Sequence, residues 1–335
     1  MLTKNEIAKQ SEGALNQWGD QWRQHAKIAG EMLRERPERL KDLLYYGIGK
    51  TLVCAITGAS FEGSIEHLKK YRDKCDIITN DKSMSALIDN GIIPDFVVLA
   101  DANVSFEKYC KPYLEHTKDI KLISNVCANM EWCENWKGNV YFHLNKDAIG
   151  TEKIFGEISG CQETLPAGSN VGNTLIVIAC EILGYDKALL TGFDFSWRHD
   201  NNYYAFDDSD KRYYMKHIDC IDAFGNIAYT SLNLMFSFRW LVDYINLNPK
   251  NRRTKIYNCS GQGLLNCNNR KLDTMLSMKT TRQLNKDDVN NIISAHKTVT
   301  ICKQQEDLKE TVEKVNVVEC AVISVPDNIL ERLKA

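Results

Sequence analysis

A chain of 335 residues with 44% hydrophobic side chains can bury one large core and a smaller appended unit. Its formal net charge of −2 provides no cationic field for non-specific nucleic-acid binding. No run approaches the roughly eighteen apolar residues of a membrane span, and the polar opening MLTKNEIAKQ is no signal peptide, so a soluble, cytoplasmic protein is expected.

Residues 1–49 read as a helical extension. Trp18 and Trp22 stand four apart, and Ile28, Met32 and Leu33 continue the apolar side, a face for packing onto a sheet or a partner. Leu40 to Tyr46 adds a last helical segment before Gly47.

The next fifty residues carry the strongest pattern. Thr51 to Thr57 is a nearly unbroken apolar run rich in β-formers, as expected of a strand buried on both faces. It meets three small residues, Gly58, Ala59 and Ser60, and then a helical stretch with Ile65 and Leu68. A strand that turns on small residues into a helix points free N–H groups and a positive dipole end at the turn, which suits a phosphate. Cys75 to Thr79 reads as a second strand ending in Asn80 and Asp81. A short helix at Met84 to Ile88 closes at Gly91, and Phe96 to Ala100 gives a third strand ending in Asp101. In a parallel sheet such C-terminal ends line one crevice. Val104 to Leu114 is helical, and Ile120 to Ser124 and Asn139 to Leu144 are strands. Strand and helix in alternation specify an α/β, doubly wound, mostly parallel Rossmann-like sheet.

A second block, residues 166–195, repeats the arrangement. Gly168, Ser169 and Asn170 open an apolar helix through Leu183, Gly184 ends it, and Lys187 to Thr191 forms a strand followed by Gly192 and Asp194. Taken alone, Ser169 or Asn170 is an N-cap. Residues 196–225 show no period and read as a long loop over the crevice, with Tyr203, Tyr204, Tyr213 and Tyr214 arguing against disorder. It holds His199 and His217, and an imidazole titrating near neutrality is a candidate general base for an acceptor hydroxyl. Asp222 to Asn226 is a turn, Ser231 to Asn246 a helix, and Lys255 to Asn258 a last strand. The helical, charged segment 266–335, with helices at Asp287 to Ala295 and Glu306 to Val315, suits a small cap or a contact between copies of the chain.

The twelve cysteines include no C-x-x-C pair and no histidine-matched spacing, so reduced structural thiols are expected.

Residues 50–265 resemble the MptE-like family, named for an archaeal 6-hydroxymethylpterin diphosphokinase, whose domain also forms the centre of the motility accessory factor (Maf) flagellin glycosyltransferases. The resemblance is carried by Gly58 and Ser60, by Ala86-Leu87, Gly91-Ile92 and Pro94-Asp95, and by Asp101. It continues through Gly168, Val171, Thr174, Leu183-Gly184-Tyr185, Gly192 and Asp194, and closes on Asp222, Gly225, Thr230, Leu234 and the Asn258-to-Gly263 segment. Ile56 stands where the family's first turn glycine is expected, and Ala59 where its proline is. The small-residue turn and the G-x-D-F strand end also resemble bacterial sialyltransferases, where they surround a CMP-sugar.

The resemblance implies a transferase using a nucleotide-activated, sialic-acid-like sugar donor and an unknown acceptor, protein or glycan, with no cofactor. Gly58, Ala59, Ser60, Asn80, Asp81, Asp101, Gly168, Ser169, Asn170 and Asp194 would surround the nucleotide. Tyr204, in a Y-A-F-D segment similar to one in those enzymes, would hold the donor phosphate, and His217 would be the catalytic base. The family's name implies the alternative: Mg²⁺-dependent transfer of diphosphate from ATP to a pterin-like alcohol, with Asp81 and Asp101 as metal ligands. A third reading is a nucleotide-binding module without chemistry, which the missing first glycine favours.

Overall fold

In the computed structural model, residues 4–278 are described except 148, 167, 169, 198–201, 206, 212–216 and 248–252, with backbone alone for 4–11, 202–204, 207–211 and 247. The strands are β1 (Thr51–Ala55), β2 (Asp76–Asn80), β3 (Phe96–Leu99), β4 (Lys121–Asn125), β5 (Val140–Lys146), β6 (Thr164–Pro166), β7 (Lys187–Thr191), β8 (Asn202–Tyr204), β9 (Asp207–Lys211), β10 (Ile218–Ile221), β11 (Ile227–Thr230) and β12 (Lys255–Asn258). Eight of them form one sheet in the order β12-β7-β1-β2-β3-β4-β5-β6. All of its pairings are parallel.

The order reverses once. From β1 the chain steps outward to β6, then returns to lay β7 on the other side of β1 and β12 beyond it. The expected doubly wound sheet is therefore present, and its switch point lies between β1 and β7.

Each central strand is apolar on both faces because both are covered. Val53, Ala55, Ile77 and Leu189 face one side, with Phe61, Ile65 and Leu68. Leu52, Cys54, Ile78, Ala188 and Leu190 face the other, against Leu175 to Ala179 and Leu241. This period-two alternation places helices on both sides of the sheet.

The helices are α1 (Lys4–Glu35), α2 (Ile65–Lys70), α3 (Asp81–Asp89), α4 (Phe106–Tyr109), α5 (Met130–Asn135), α6 (Thr151–Ser159), α7 (Val171–Val177), α8 (Leu232–Leu247) and α9 (Leu272–Ser277). After Val177 the α7 chain widens into a π-type turn through Ile182. The N-terminal helix α1 lies against α6 and α5, its Leu15, Ala26 and Ala29 joining a core with Val97, Leu122 and Phe142. Trp22 sets its ring edge on Phe155, with centroids 6.1 Å apart. The sequence pattern located α1 but missed α5, α6 and the short β6, which are too brief to show a period.

Residues 196–225, expected to be one irregular loop, instead contain two antiparallel hairpins, β8–β9 and β10–β11, the second closing on β11 beyond them. The expected turn at Asp222 to Asn226 is the tip of the second: Asp222 Oδ1 accepts from the N–H groups of Phe224 and Asn226, and Gly225 adopts φ 86°. Its flanking strands are four residues each, too short for alternation to stand out. The proposed tail helices at 287–295 and 306–315 lie outside the described residues. Among the described residues no helix is long and apolar enough to cross a membrane.

At the switch point the turns after β1 and β7 touch backbone to backbone. A Cβ on Gly192, which adopts φ 76°, would overlap the Ile56 carbonyl, and one on Gly58 would overlap the Gly192 carbonyl. Gly192→Ala is expected to cost about 3 kcal/mol or more in chemical denaturation, from strain plus the displaced β1 turn. Gly63→Ala, where an added Cβ meets nothing within 4 Å, is the control and should leave stability within about 0.5 kcal/mol.

Candidate functional site

Parallel strands bring their C-terminal ends to one edge of the sheet, and that edge gathers the sequence candidates. Gly58, Ala59 and Ser60 follow β1, Asn80 ends β2, Asp81 follows it, Asp101 follows β3, and Asp194 follows β7.

Asp194 is 1% exposed, and its carboxylate braces the β1 turn. Ser60 donates twice, from N–H to Oδ2 at 2.8 Å and from Oγ to Oδ1 at 2.5 Å. Gln262 Nε2 donates to Oδ2 at 3.1 Å from the loop after β12. The Leu264 N–H donates to the Asp194 carbonyl at 2.8 Å, and a Cβ on Gly263 would overlap the Asp194 backbone. An internal carboxylate thus sits where a turn–helix start would otherwise present Ser60 to an external anion. Both Ser60 donors are engaged there, and the ends of β1, β7 and β12 are locked together.

On the β2 side, Asn80 Oδ1 caps α3 by accepting from the Ser83 N–H at 3.3 Å. Ser83 Oγ in turn accepts from the Thr57 N–H at 2.8 Å and donates to Thr57 Oγ1 at 3.1 Å. The β1 turn is therefore tied to the start of α3 as well as to Asp194. Asp81 is 3% exposed and its Oδ1 accepts the Lys82 N–H at 2.6 Å. Burial pushes its pKa up to about 6; the Lys82 N–H opposes this and the nearby charge of Asp101 adds to it. Asp101 is exposed, with Oδ1 accepting the Asn103 N–H at 2.8 Å. The two carboxylates thus follow the neighbouring strands β2 and β3. Among the described residues no group of three His, Cys, Asp or Glu could hold a metal ion.

The start of α7 abuts the same region. Asn170 Oδ1 caps the helix from the Asn173 N–H at 2.8 Å, and Asn173 Nδ2 donates to the Gly168 carbonyl at 2.6 Å. Gly172 lies against Ile56 and Phe193, the residues beside the touching turns. Ser169 lies outside the described residues.

The β8–β9 hairpin carries Tyr204 on its backbone beside this turn; the Tyr204 side chain lies outside the described residues. The next residue, Ala205, is buried among Val53, Ala55 and Phe61, and its N–H donates to the Thr57 carbonyl at 3.0 Å. The β10–β11 hairpin is fixed on the β7–β12 flank instead. Thr230 Oγ1 donates to the Phe195 carbonyl, Trp197 bridges Tyr229, and the Ala223 N–H donates to the Gly263 carbonyl. His217 stands at its start, exposed, with its ring edge on Tyr229 and Nε2 3.5 Å from Asp219 Oδ1. Among the described residues no contact joins His217 to the Gly58–Ser60 turn.

Thr57, Ser83, Ala205 and Gln262 organise this edge and were not singled out from the sequence. Ser83 had a signal, since it follows Asn80 at N-cap spacing. Gln262 lay inside the Asn258-to-Gly263 segment that carries the family resemblance. The described cysteines are free thiols, most of them buried, as their spacing led us to expect.

The raised pKa of Asp81 has a direct consequence. The folded state holds its proton more tightly than the unfolded chain, so this group favours folding fully below about pH 4 and loses that contribution as pH rises through about 6. Asp81→Asn is accordingly expected to stabilise the protein by about 2–3 kcal/mol at pH 8, and the gain should vanish below pH 4 in a denaturation series.

The model of the family described as 6-hydroxymethylpterin diphosphokinase MptE-like matches residues 23–200. Among solved structures, the Maf glycosyltransferase from Magnetospirillum magneticum AMB-1 superposes with a TM-score of 0.53 and 19% sequence identity, over 75% of this chain and 38% of that one. The likeness is one of fold, and this chain spans 38% of that protein's length. No curated protein matches the chain. With the doubly wound sheet, the braced β1 turn and a family match over more than half of its residues, the chain belongs to the MptE-like family.

Proposed function

We propose that this protein is a transferase that uses a nucleotide-activated sugar, with a CMP-linked, sialic-acid-like sugar as the donor and a hydroxyl group of a protein or glycan as the acceptor. The observation that carries the reading is the docking of the β8–β9 hairpin on the β1 turn through the Ala205 N–H and Thr57 carbonyl. It brings the backbone of Tyr204 to the C-terminal edge of the sheet, beside the segment where a nucleotide phosphate is expected. The fold shared with a Maf glycosyltransferase supports the same reading.

In this proposal the Gly58–Ala59 backbone lies along the nucleotide, while Ser60 positions the turn through Asp194. Tyr204 and the amide group of Asn80 donate to the departing phosphate, and Gly168, Ser169 and Asn170 contact the nucleotide at the start of α7. Hydrogen bonds that strengthen as charge develops on the leaving phosphate are the principal catalytic device. Asp101 and Asp81 shape the pocket, and His217 takes the acceptor proton once the hairpins close on a bound donor. Access to such a donor points to a cytoplasmic protein, and contacts between copies of the chain belong to the same proposal.

One observation favours a second reading, diphosphate transfer from ATP. Asp81 and Asp101 lie close enough for one to raise the pKa of the other. A carboxylate pair fits a Mg²⁺ ion held mainly by phosphate oxygens and water. Asp81 and Asp101 would then hold the ion, which would neutralise charge on the transferred group.

Thermal-shift measurements separate the two. CMP is expected to raise Tm equally with Mg²⁺ and with EDTA, by mass action on the folded state. Stabilisation by ATP that requires Mg²⁺, with none by CMP, would replace the first reading by the second. His217→Ala should retain the CMP shift and lower turnover about a hundredfold or more, the scale of a removed general base. Normal turnover in that variant would remove His217 from the mechanism.

A further inference from the structure

The N-terminal helix, whose pattern marks it as a packing extension, also reaches the C-terminal edge of the sheet. Gln21 and His25 stand four apart and so share one face of α1. Gln21 Nε2 donates to the Ala102 carbonyl at 3.3 Å and to Asn103 Oδ1 at 3.1 Å, in the turn after β3. His25 Nδ1 lies 3.1 Å from the Cys127 carbonyl, in the turn after β4. Those two turns are themselves joined around Asp101. Its Oδ1 accepts the Asn103 N–H at 2.8 Å, and its carbonyl accepts the Asn129 N–H at 3.1 Å. Hydrogen bonds through Asn103 thus link α1 to an aspartate of the candidate site.

The His25 contact fixes what the ring can do. A carbonyl only accepts, so in the neutral imidazole the proton sits on Nδ1 and the lone pair on Nε2. The ring is half-buried, and Nε2 has no partner among the described residues. Strands β3 and β4 lie two and three places from β1 in the sheet, roughly 10–14 Å away at the usual strand spacing. His25 is therefore within reach of a bulky sugar joined to a phosphate at the β1 turn.

An open lone pair accepts a hydrogen bond and cannot donate one, and the Asp101 carboxylate, in the turn that Gln21 holds, is also acceptor-only. Such an edge disfavours a phosphate and suits a hydroxyl. We propose that His25 Nε2 accepts a hydrogen bond from a hydroxyl of the transferred sugar. His25 is then a specificity-determining contact for the sugar, separate from the role of His217 and from the nucleotide contacts of the β1 turn and α7. The inference rests on the sugar-donor reading above, and it makes α1 part of the ligand site.

Footprinting with diethyl pyrocarbonate, which acylates open imidazole nitrogens, tests this on the full chain, with CMP-N-acetylneuraminic acid and CMP as the probes. In the free protein His25 should be modified. The CMP-sugar should slow that modification about fivefold or more, CMP alone should not, and the exposed His116 should react alike throughout. In calorimetric titration His25→Asn, whose own amide can keep the bond to Cys127, should weaken the CMP-sugar about tenfold with CMP affinity unchanged, the scale of one lost hydrogen bond. A purely structural histidine would be rescued by that change. An unreactive His25, slowing by CMP alone, no slowing by a CMP-sugar that binds, or wild-type affinity in His25→Asn overturns the contact and leaves the nucleotide reading standing. If neither CMP nor the CMP-sugar binds, the donor reading fails and the inference falls with it. The footprint needs only the wild-type chain, so it decides the matter should the variant not fold.

Discussion

The backbone contact between the turns after β1 and β7 is the constraint on which the rest of the site depends. Two peptide segments can approach this closely only where neither carries a side chain, so Gly58 and Gly192 are required by geometry. Once they touch, the ends of two adjacent parallel strands become a single rigid unit. Asp194 then fixes the unit to Ser60 and Gln262, and Ser83 fixes it to α3.

The charges around the block have different purposes. Asp194 is buried but fully engaged, so its carboxylate holds structure together. Asp81 is equally buried, yet among the described residues its carboxylate accepts one N–H, from its own helix, and the charge of Asp101 adds to the rise in its pKa. A group held at an energetic disadvantage in an otherwise well-satisfied core is what a ligand site tends to contain.

Much of this was legible in the sequence, for identifiable reasons. Thr51–Ala55 and Lys187–Thr191 are buried on both faces, and a continuous apolar run ending in small residues reports that directly. Asn80, Asp101 and Asp194 could be placed at strand ends because a parallel sheet puts all such ends on one edge. The partner of Asp194 was not legible, since Gln262 is 68 residues away and no local pattern links them. The hairpins were hidden for a related reason: strands of three to five residues rely on their partner, not on their own periodicity.

The strand order also sets a sequence of events during synthesis. Strand β1 ends at Ala55, but its second neighbour, β7, begins only at Lys187. While a ribosome makes the residues between them, β1 can pair with β2 and the sheet can grow as far as β6. Its other edge meanwhile presents unsatisfied N–H and C=O groups to the surroundings. The Gly58 turn likewise waits for Gly192 and Asp194 before it has anything to close against. A nascent chain of this topology therefore carries a strand that ends fully buried as an exposed edge until β7 is made.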